Sequence, residues 1–359
     1  MSDTINSKLM PLDEAVRTFI KPGTHLSLGG FTALRRPMAF AREIARQNIG
    51  NLFLSSNGMG IAEEILIGCG LVSRLETTLL GGVRPMHVGK AGTVSIENGQ
   101  ISVVEDYSNW SFALRTIAGH YGLPFIPCMS IMGSDIEKYD SFGKAGLRGF
   151  DENGAPLHPG IPPKKHVVID DPFEGYGLRP VRNDTTGNQT NNYLKEGIKN
   201  TAYTGKPGVK VGLVPPLITD VCVVHAQSVS TDGIVRIDGL LAEDADQSFC
   251  GKHLIVECER ICSSDELRQE PEHNHIPPHM VDAIVVSPFG GYPGNVPGYY
   301  DSDKDFTTRY KAAVGDKGPD EIKAWWKEEL NCGDEWKYLM KHVGWEKLQA
   351  IRANPRYRY

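Results

Sequence analysis

Short apolar runs alternate with amphipathic stretches along most of the chain. Residues 11–20, PLDEAVRTFI, place apolar side chains at helical spacing, with a proline and acids in the first turn. Gly23 ends that pattern, so a helix is expected before it. His25 to Leu28 reads as a short strand running into Gly29, Gly30 and Phe31, and Pro37 opens the next helical pattern, MAFAREIARQN. NLFLSSNGMG, residues 51–60, repeats the order of strand and glycine turn, and AEEILIGCG follows as a helix stopped by glycine. Further apolar strands are expected at LPFIPC, VKVGLV, DVCVVHA, HLIVEC and VDAIVV. Near-continuous apolar strands alternating with helices predict an α/β fold: an open, mostly parallel sheet with helices on both faces. In such sheets function gathers in the loops after the strand ends.

Near Asp305 the pattern changes to three helical segments, TTRYKAAV, PDEIKAWWKEEL and EWKYLMKHV. The expected organisation is therefore an α/β domain over 1–304 and a helical C-terminal extension over 305–359. Residues from about 176 to 207 are polar, rich in Asn, Thr and Gly, and without period. They predict a long surface loop inserted in the domain, of the kind that tends to be functional or mobile.

The stretch VSIENGQ, residues 94–100, raises the question of a nucleophilic glutamate. Val94 and Ile96 precede Asn98-Gly99, and Ile101 and Val103 follow, which predicts a β-hairpin with a type I′ turn. Glu97 would then sit exposed at a bend, whereas a reacting carboxylate needs a partly dry pocket and donors for the oxyanion it generates.

Composition narrows the function classes. The chain has 359 residues, 40% hydrophobic and 23% charged, enough for one large domain or two modest ones with a real core. A net charge of −6 without a long basic run argues against nucleic acid as the main partner. No apolar run approaches a membrane span, and MSDTINSKLM is unlike a secretory leader, so the cytoplasm is the expected location. Seven cysteines without a CxxC pair read as buried thiols in a reducing compartment.

Several candidate residues have two readings each. Gly29, Gly30, Phe31 and Thr32 follow a strand end, where backbone N–H groups and a hydroxyl could face an oxyanion; otherwise they only reverse the chain. Asn57 with Gly58, and Gly133 with Ser134, have the same two readings. Arg35 and Arg36 either pair with the distal carboxylate of a substrate, or are solvated or partner-facing residues ahead of a helix. Glu105 and Asp106 precede a helical pattern starting near Ser108 and fit its capping. His225 lies inside an apolar strand and reads as a satisfied core histidine. His273, His275 and His279 fall in a proline-broken loop whose spacing does not converge metal ligands, so no metal is expected.

The stretch from Gly23 through Gly29-Gly30-Phe31 to Arg35-Arg36-Pro37 resembles the signature of family I coenzyme A transferases. Pro22 and Arg35 depart from the usual residues at their positions. Collinear similar stretches are Val104 to Ser108, Leu123 to Phe125, Met132 to Ser134, Val224 to Gln227, Asp232 to Arg236, Val281 to Ala283 and Gly298 to Asp301. The resemblance is to the A-type subunit, with the 176–207 insert as a departure. It implies a hetero-oligomer with a B subunit that supplies the nucleophilic glutamate, an acyl-CoA and a small (di)carboxylate as substrates, and no permanently bound cofactor. It also implies that Gly29 to Thr32, Arg35, Arg36, Asn57, Gly58, Gly133 and Ser134 wall the substrate pocket. Related hydrolases that open a CoA-linked ring use a glutamate at the position of Glu105, which leaves CoA-thioester hydrolysis or C–C cleavage as an alternative. A non-catalytic ligand-binding protein on the same scaffold is a second.

Overall fold

The structure is a computed structural model that describes residues 8–80, 89–172 and 210–354. The 176–207 stretch lies outside the described residues. Helix α1 (Leu12–Phe19) leads into strand β1 (His25–Leu28), then α2 (Met38–Arg46), β2 (Leu52–Ser56) and α3 (Ile61–Gly68). Next come β3 (Val72–Thr77), α4 (Lys90–Glu97), β4 (Val103–Asp106) and α5 (Asn109–His120). After these come β5 (Ile126–Cys128), the short α6 (Asp135–Lys138) and α7 (Ser141–Lys144), β6 (Val167–Asp170) and β7 (Lys210–Val214). The second half of the sheet is β8 (Thr219–Ser230), β9 (Val235–Arg236), the turn α8 (Asp244–Gln247), β10 (Gly251–Cys262), α9 (Ser264–Arg268), β11 (Asn274–Ile276) and β12 (Ala283–Val286).

These strands form one nine-stranded sheet and one three-stranded sheet. In the large sheet β4, β3, β2, β1, β8, β10 and β12 run side by side, all parallel. The short β9 and β11 add an antiparallel ribbon at the far end of β8. The expected mostly parallel sheet is thus present. Period-two alternation sends Leu26, Leu28, Leu52, Leu54 and Leu75 to one face, where α1 to α4 complete the main hydrophobic cluster. The opposite face carries His25, Ser55 and Glu76 and is covered by α5 and the segment around Phe142 and Ile161.

Two expectations need correction. Asn98-Gly99 ends a helix instead of turning a hairpin: Lys90–Glu97 is α4, Asn98 caps it, and Gly99 takes φ +71°. The same dipeptide serves a hairpin and a helix C-terminus because both need a left-handed residue, and Gly99 supplies it here. Glu97 is exposed at that helix end. VKVGLV and LPFIPC do not join the parallel sheet; β7 pairs antiparallel with β5 and β6 in the small sheet. The sequence pattern also gives no sign of β3, whose apolar run is broken by Arg74 and Glu76.

The C-terminal helices are α10 (Lys304–Val314), α11 (Pro319–Glu329), α12 (Glu335–His342) and α13 (Trp345–Ala350). They share the main cluster through Phe306, Tyr310, Ile322, Trp326, Tyr338 and Leu348. Gly68 is needed where α11 crosses α3, because a Cβ there would meet the Trp326 indole. Polar ties reinforce the packing: Tyr310 donates to Glu64 at 2.7 Å, and Arg42 and Arg46 both grip Glu335.

Candidate active site

The C-terminal ends of β1, β2 and β3 bring three loops together. After β1 the chain turns through Gly29 to Leu34, and Gly30 takes φ +80° where a Cβ would collide with the Leu34 carbonyl. Thr32 and Arg35 also adopt left-handed backbone, at φ +53° and +44°. Gly60 permits the close approach of the β2 loop, since a Cβ there would overlap the Thr32 carbonyl.

The turn is satisfied within the chain. Gly29 N–H donates to Val223 O at 2.7 Å, Phe31 N–H to Leu34 O at 3.1 Å and Thr32 N–H to Gly58 O at 3.0 Å. Gly30 N–H donates to Asp244. The four N–H groups expected to face an oxyanion are therefore occupied. What this loop leaves partly exposed is the tip, Phe31 to Leu34, with the Thr32 hydroxyl on it.

Arg35 and Arg36 are both fully buried. Arg35 Nη2 meets Asp244 at 2.7 Å, and its Nε donates to the same carboxylate at 3.1 Å. Arg36 pairs with Glu63 at 2.8 Å and donates to the carbonyls of Leu28, Gly29, Asn57 and Gly58. Each guanidinium ties the glycine turn to another strand end; the terminal nitrogens of both are engaged, and Arg36 Nε is buried without a partner.

Asn57 sits beside that turn. Its Oδ1 accepts from the Thr78 hydroxyl at 2.6 Å, and its Nδ2 donates to Glu243 and, at 3.4 Å, to Asn109 O. Gly58 N–H donates to Thr78 at 3.1 Å. Glu243 and Thr78 are not anticipated by the sequence reading. The signal for Glu243 is weak, an acidic run AEDAD after a strand. Burial pushes the Glu243 carboxyl up to about 7, although Asn57 and Arg36 pull the other way. Its Oε2 is buried without a hydrogen-bond partner.

Glu105 lies at the end of β4, buried, with Lys165 at 2.7 Å and Arg148 at 3.1 Å, and it accepts from Phe142 N–H at 3.1 Å. These contacts fasten the α7 segment to the sheet edge. Gly133 and Ser134 lie beside the small sheet, where the Gly133 N–H donates to Glu137 and the Ser134 hydroxyl to Ile131 O. His225 is buried between Glu257 and Glu259 at 2.7 and 2.8 Å. Burial opposes its charge, yet the two carboxylates raise it to about 9. His273 is engaged with Asp238 at 2.8 Å.

The family profile for coenzyme A transferase matches residues 9–287. The chain belongs to the coenzyme A transferase family. The A-type subunit of glutaconate CoA-transferase from Acidaminococcus fermentans is 31% identical over 350 residues, covering 97% of this chain and 96% of that protein. The A-type subunit of 3-oxoadipate CoA-transferase from Pseudomonas knackmussii is 26% identical over 87% of this chain and 90% of its own length. The crystal structure of glutaconate coenzyme A-transferase from A. fermentans superposes with a TM-score of 0.79, over 98% of this chain and 97% of that one. A fold likeness also extends to the decarboxylase AibA/AibB, at 20% identity and a TM-score of 0.64. In open parallel sheets ligands bind in the crevice outside the carboxyl ends of the strands. Among the described residues, no helix is long and apolar enough to cross a membrane.

Proposed function

We propose that the chain is the A-type subunit of a two-component CoA-transferase that moves CoA between an acyl-CoA and a small carboxylate, with the attacking glutamate on a B-type partner. The observation that carries this reading is the end-to-end similarity to a protein named as the A component of such an enzyme. The geometry supports the division of labour. Glu97, whose surroundings in sequence look most like a nucleophile box, is exposed at a helix end. The strand-end loops are internally bonded and stiff, suited to holding a substrate against a reacting group brought from outside.

In this reading the partner's carboxylate attacks the thioester to give a mixed anhydride, CoA thiolate then forms a glutamyl thioester, and a second acid completes the exchange. The wall contributed by this chain is Phe31, Thr32, Asn57 and Gly58, with Arg35 and Arg36 acting behind it by fixing the loops. Thr32 is the residue placed to donate to an acyl carboxylate. Hydrolysis or C–C cleavage with Glu105 as base has less support, because two cations and a backbone N–H already hold that carboxylate. Purified alone, the chain should exchange no CoA, and adding the B subunit should restore exchange. Full turnover by the isolated chain would refute the assignment.

A further inference from the structure

The C-terminal helices hold reactive side chains that CoA transfer at the strand ends leaves unused. Cys332 lies in the turn between α11 and α12, partly exposed, with Sγ 3.3 Å from His342 Nε2 and 3.2 Å from Glu329 O. The other ring nitrogen, Nδ1, lies 3.2 Å from Glu329 Oε1. Arg309 holds both oxygens of that carboxylate, at 2.9 and 2.7 Å. A thiol and an imidazole within reach of it stand in the order of nucleophile and base, with a carboxylate close to the far side of the ring.

The surroundings set the resting protonation. Burial lowers the His342 imidazole and raises the Cys332 thiol from their ordinary values. The resting pair is a thiol beside a neutral imidazole, so attack by sulfur depends on proton transfer to the ring. A cavity of about 990 Å³ adjoins the turn, walled by Asn331 and Gly333 on either side of Cys332 and by Arg46, Lys323, Lys327 and Glu328. Lys323 and Lys327 are exposed, and among the described residues neither is engaged by a carboxylate. Arg46 is already held by Glu43 and Glu335, and Glu328 also lines the cavity, so Lys323 and Lys327 are the cations on the rim that a phosphate group could meet.

We propose that Cys332 and His342, with Glu329 beside the ring, form a thiol site that accepts an acyl group from CoA thioesters, with Lys323 and Lys327 holding the phosphate-bearing part of CoA. The proposal rests on the CoA-transferase reading only for the supply of acyl-CoA. The Sγ–H proton passes to His342 Nε2 as sulfur attacks the acyl carbonyl. The bond from the carbonyl carbon to the CoA sulfur then breaks, and the departing sulfur takes the proton from the imidazolium. One thiol and one thioester give one thioester and one thiol, with no oxidant required.

Incubation of the purified full-length chain with acetyl-CoA, followed by intact-mass and peptide analysis, tests it. One acetyl group is expected on Cys332, released by neutral hydroxylamine and absent in Cys332→Ser. His342→Gln should acetylate about a hundredfold more slowly, the lower end of what a positioned base contributes. The double variant Lys323→Glu/Lys327→Glu should need more acetyl-CoA, yet react normally with S-acetyl-N-acetylcysteamine, which lacks the phosphates. Absence of acetylation, acetylation elsewhere, or an unchanged rate in a folded His342→Gln protein would overturn the site. Cys332→Ser should retain full CoA transfer with the B subunit, so failure here is distinguishable from failure of the proposed function.

Discussion

Replacing Asp244 by alanine tests whether Arg35 belongs to the scaffold. Both side chains are fully buried, and Asp244 accepts from Arg35 Nε at 3.1 Å, from Nη2 at 2.7 Å and from Gly30 N–H. Asp244→Ala strands a guanidinium in the interior with only the carbonyls of Asp238 and Leu240 as partners, and it frees a buried N–H. Breaking a buried ion pair from one side costs about 3–5 kcal/mol, because the remaining charge stays desolvated. Removing both charges, as in Arg35→Met/Asp244→Leu, should cost markedly less, since no charge is left without a partner. Urea denaturation of the two single variants and the double gives the coupling directly. A loss below about 1 kcal/mol in Asp244→Ala, or a double variant no more stable than that single one, would refute the structural role of Arg35. Arg35 would then be available to the substrate, as the sequence alone permitted.

Other consequences concern pH and packing. Because burial raises the Glu243 carboxyl to about 7 from its usual 4.5, the folded state binds the extra proton and loses stability as pH climbs through that window. Glu243→Gln should flatten that part of a melting-temperature profile, and an unchanged slope would contradict the assignment. The His225 imidazole is also raised, to about 9, so its contribution is complete below about 6.5 and disappears as pH rises through 9. His225→Gln should remove that alkaline decline, measured by the same melts. Trp326 is fully buried against Gly68, and Trp326→Ala should cost about 3–5 kcal/mol in urea denaturation. A loss under about 1 kcal/mol would mean that α11 is not packed as described.

The fold was legible where burial is apolar. β1 with α2, and β2 with α3, were readable because leucine-rich strands end in glycine before a helical period. β3 was missed because Arg74 and Glu76 interrupt its apolar run. Glu76 is buried through its bond to Ser55 and its ion pair with Arg115, and Arg74 lies over the Phe53 ring. Such polar burial depends on partners distant in sequence, which a local pattern does not contain. At the candidate site the glycine turn was visible, and Asn57 and Gly58 lie beside it. The roles of Arg35 and Arg36 were not visible, because Asp244 lies 209 residues from Arg35 and Glu63 belongs to another helix. Asn98-Gly99 misled for a different reason, since the same left-handed preference ends helices and turns hairpins.

The most direct measurement is a borohydride trap on the reconstituted two-subunit enzyme during turnover with an acyl-CoA, followed by peptide mapping of both chains. A reduced glutamyl thioester on the B subunit, with every glutamate of this chain unmodified, is the predicted outcome. Modification of Glu97 or Glu105 in this chain would contradict it.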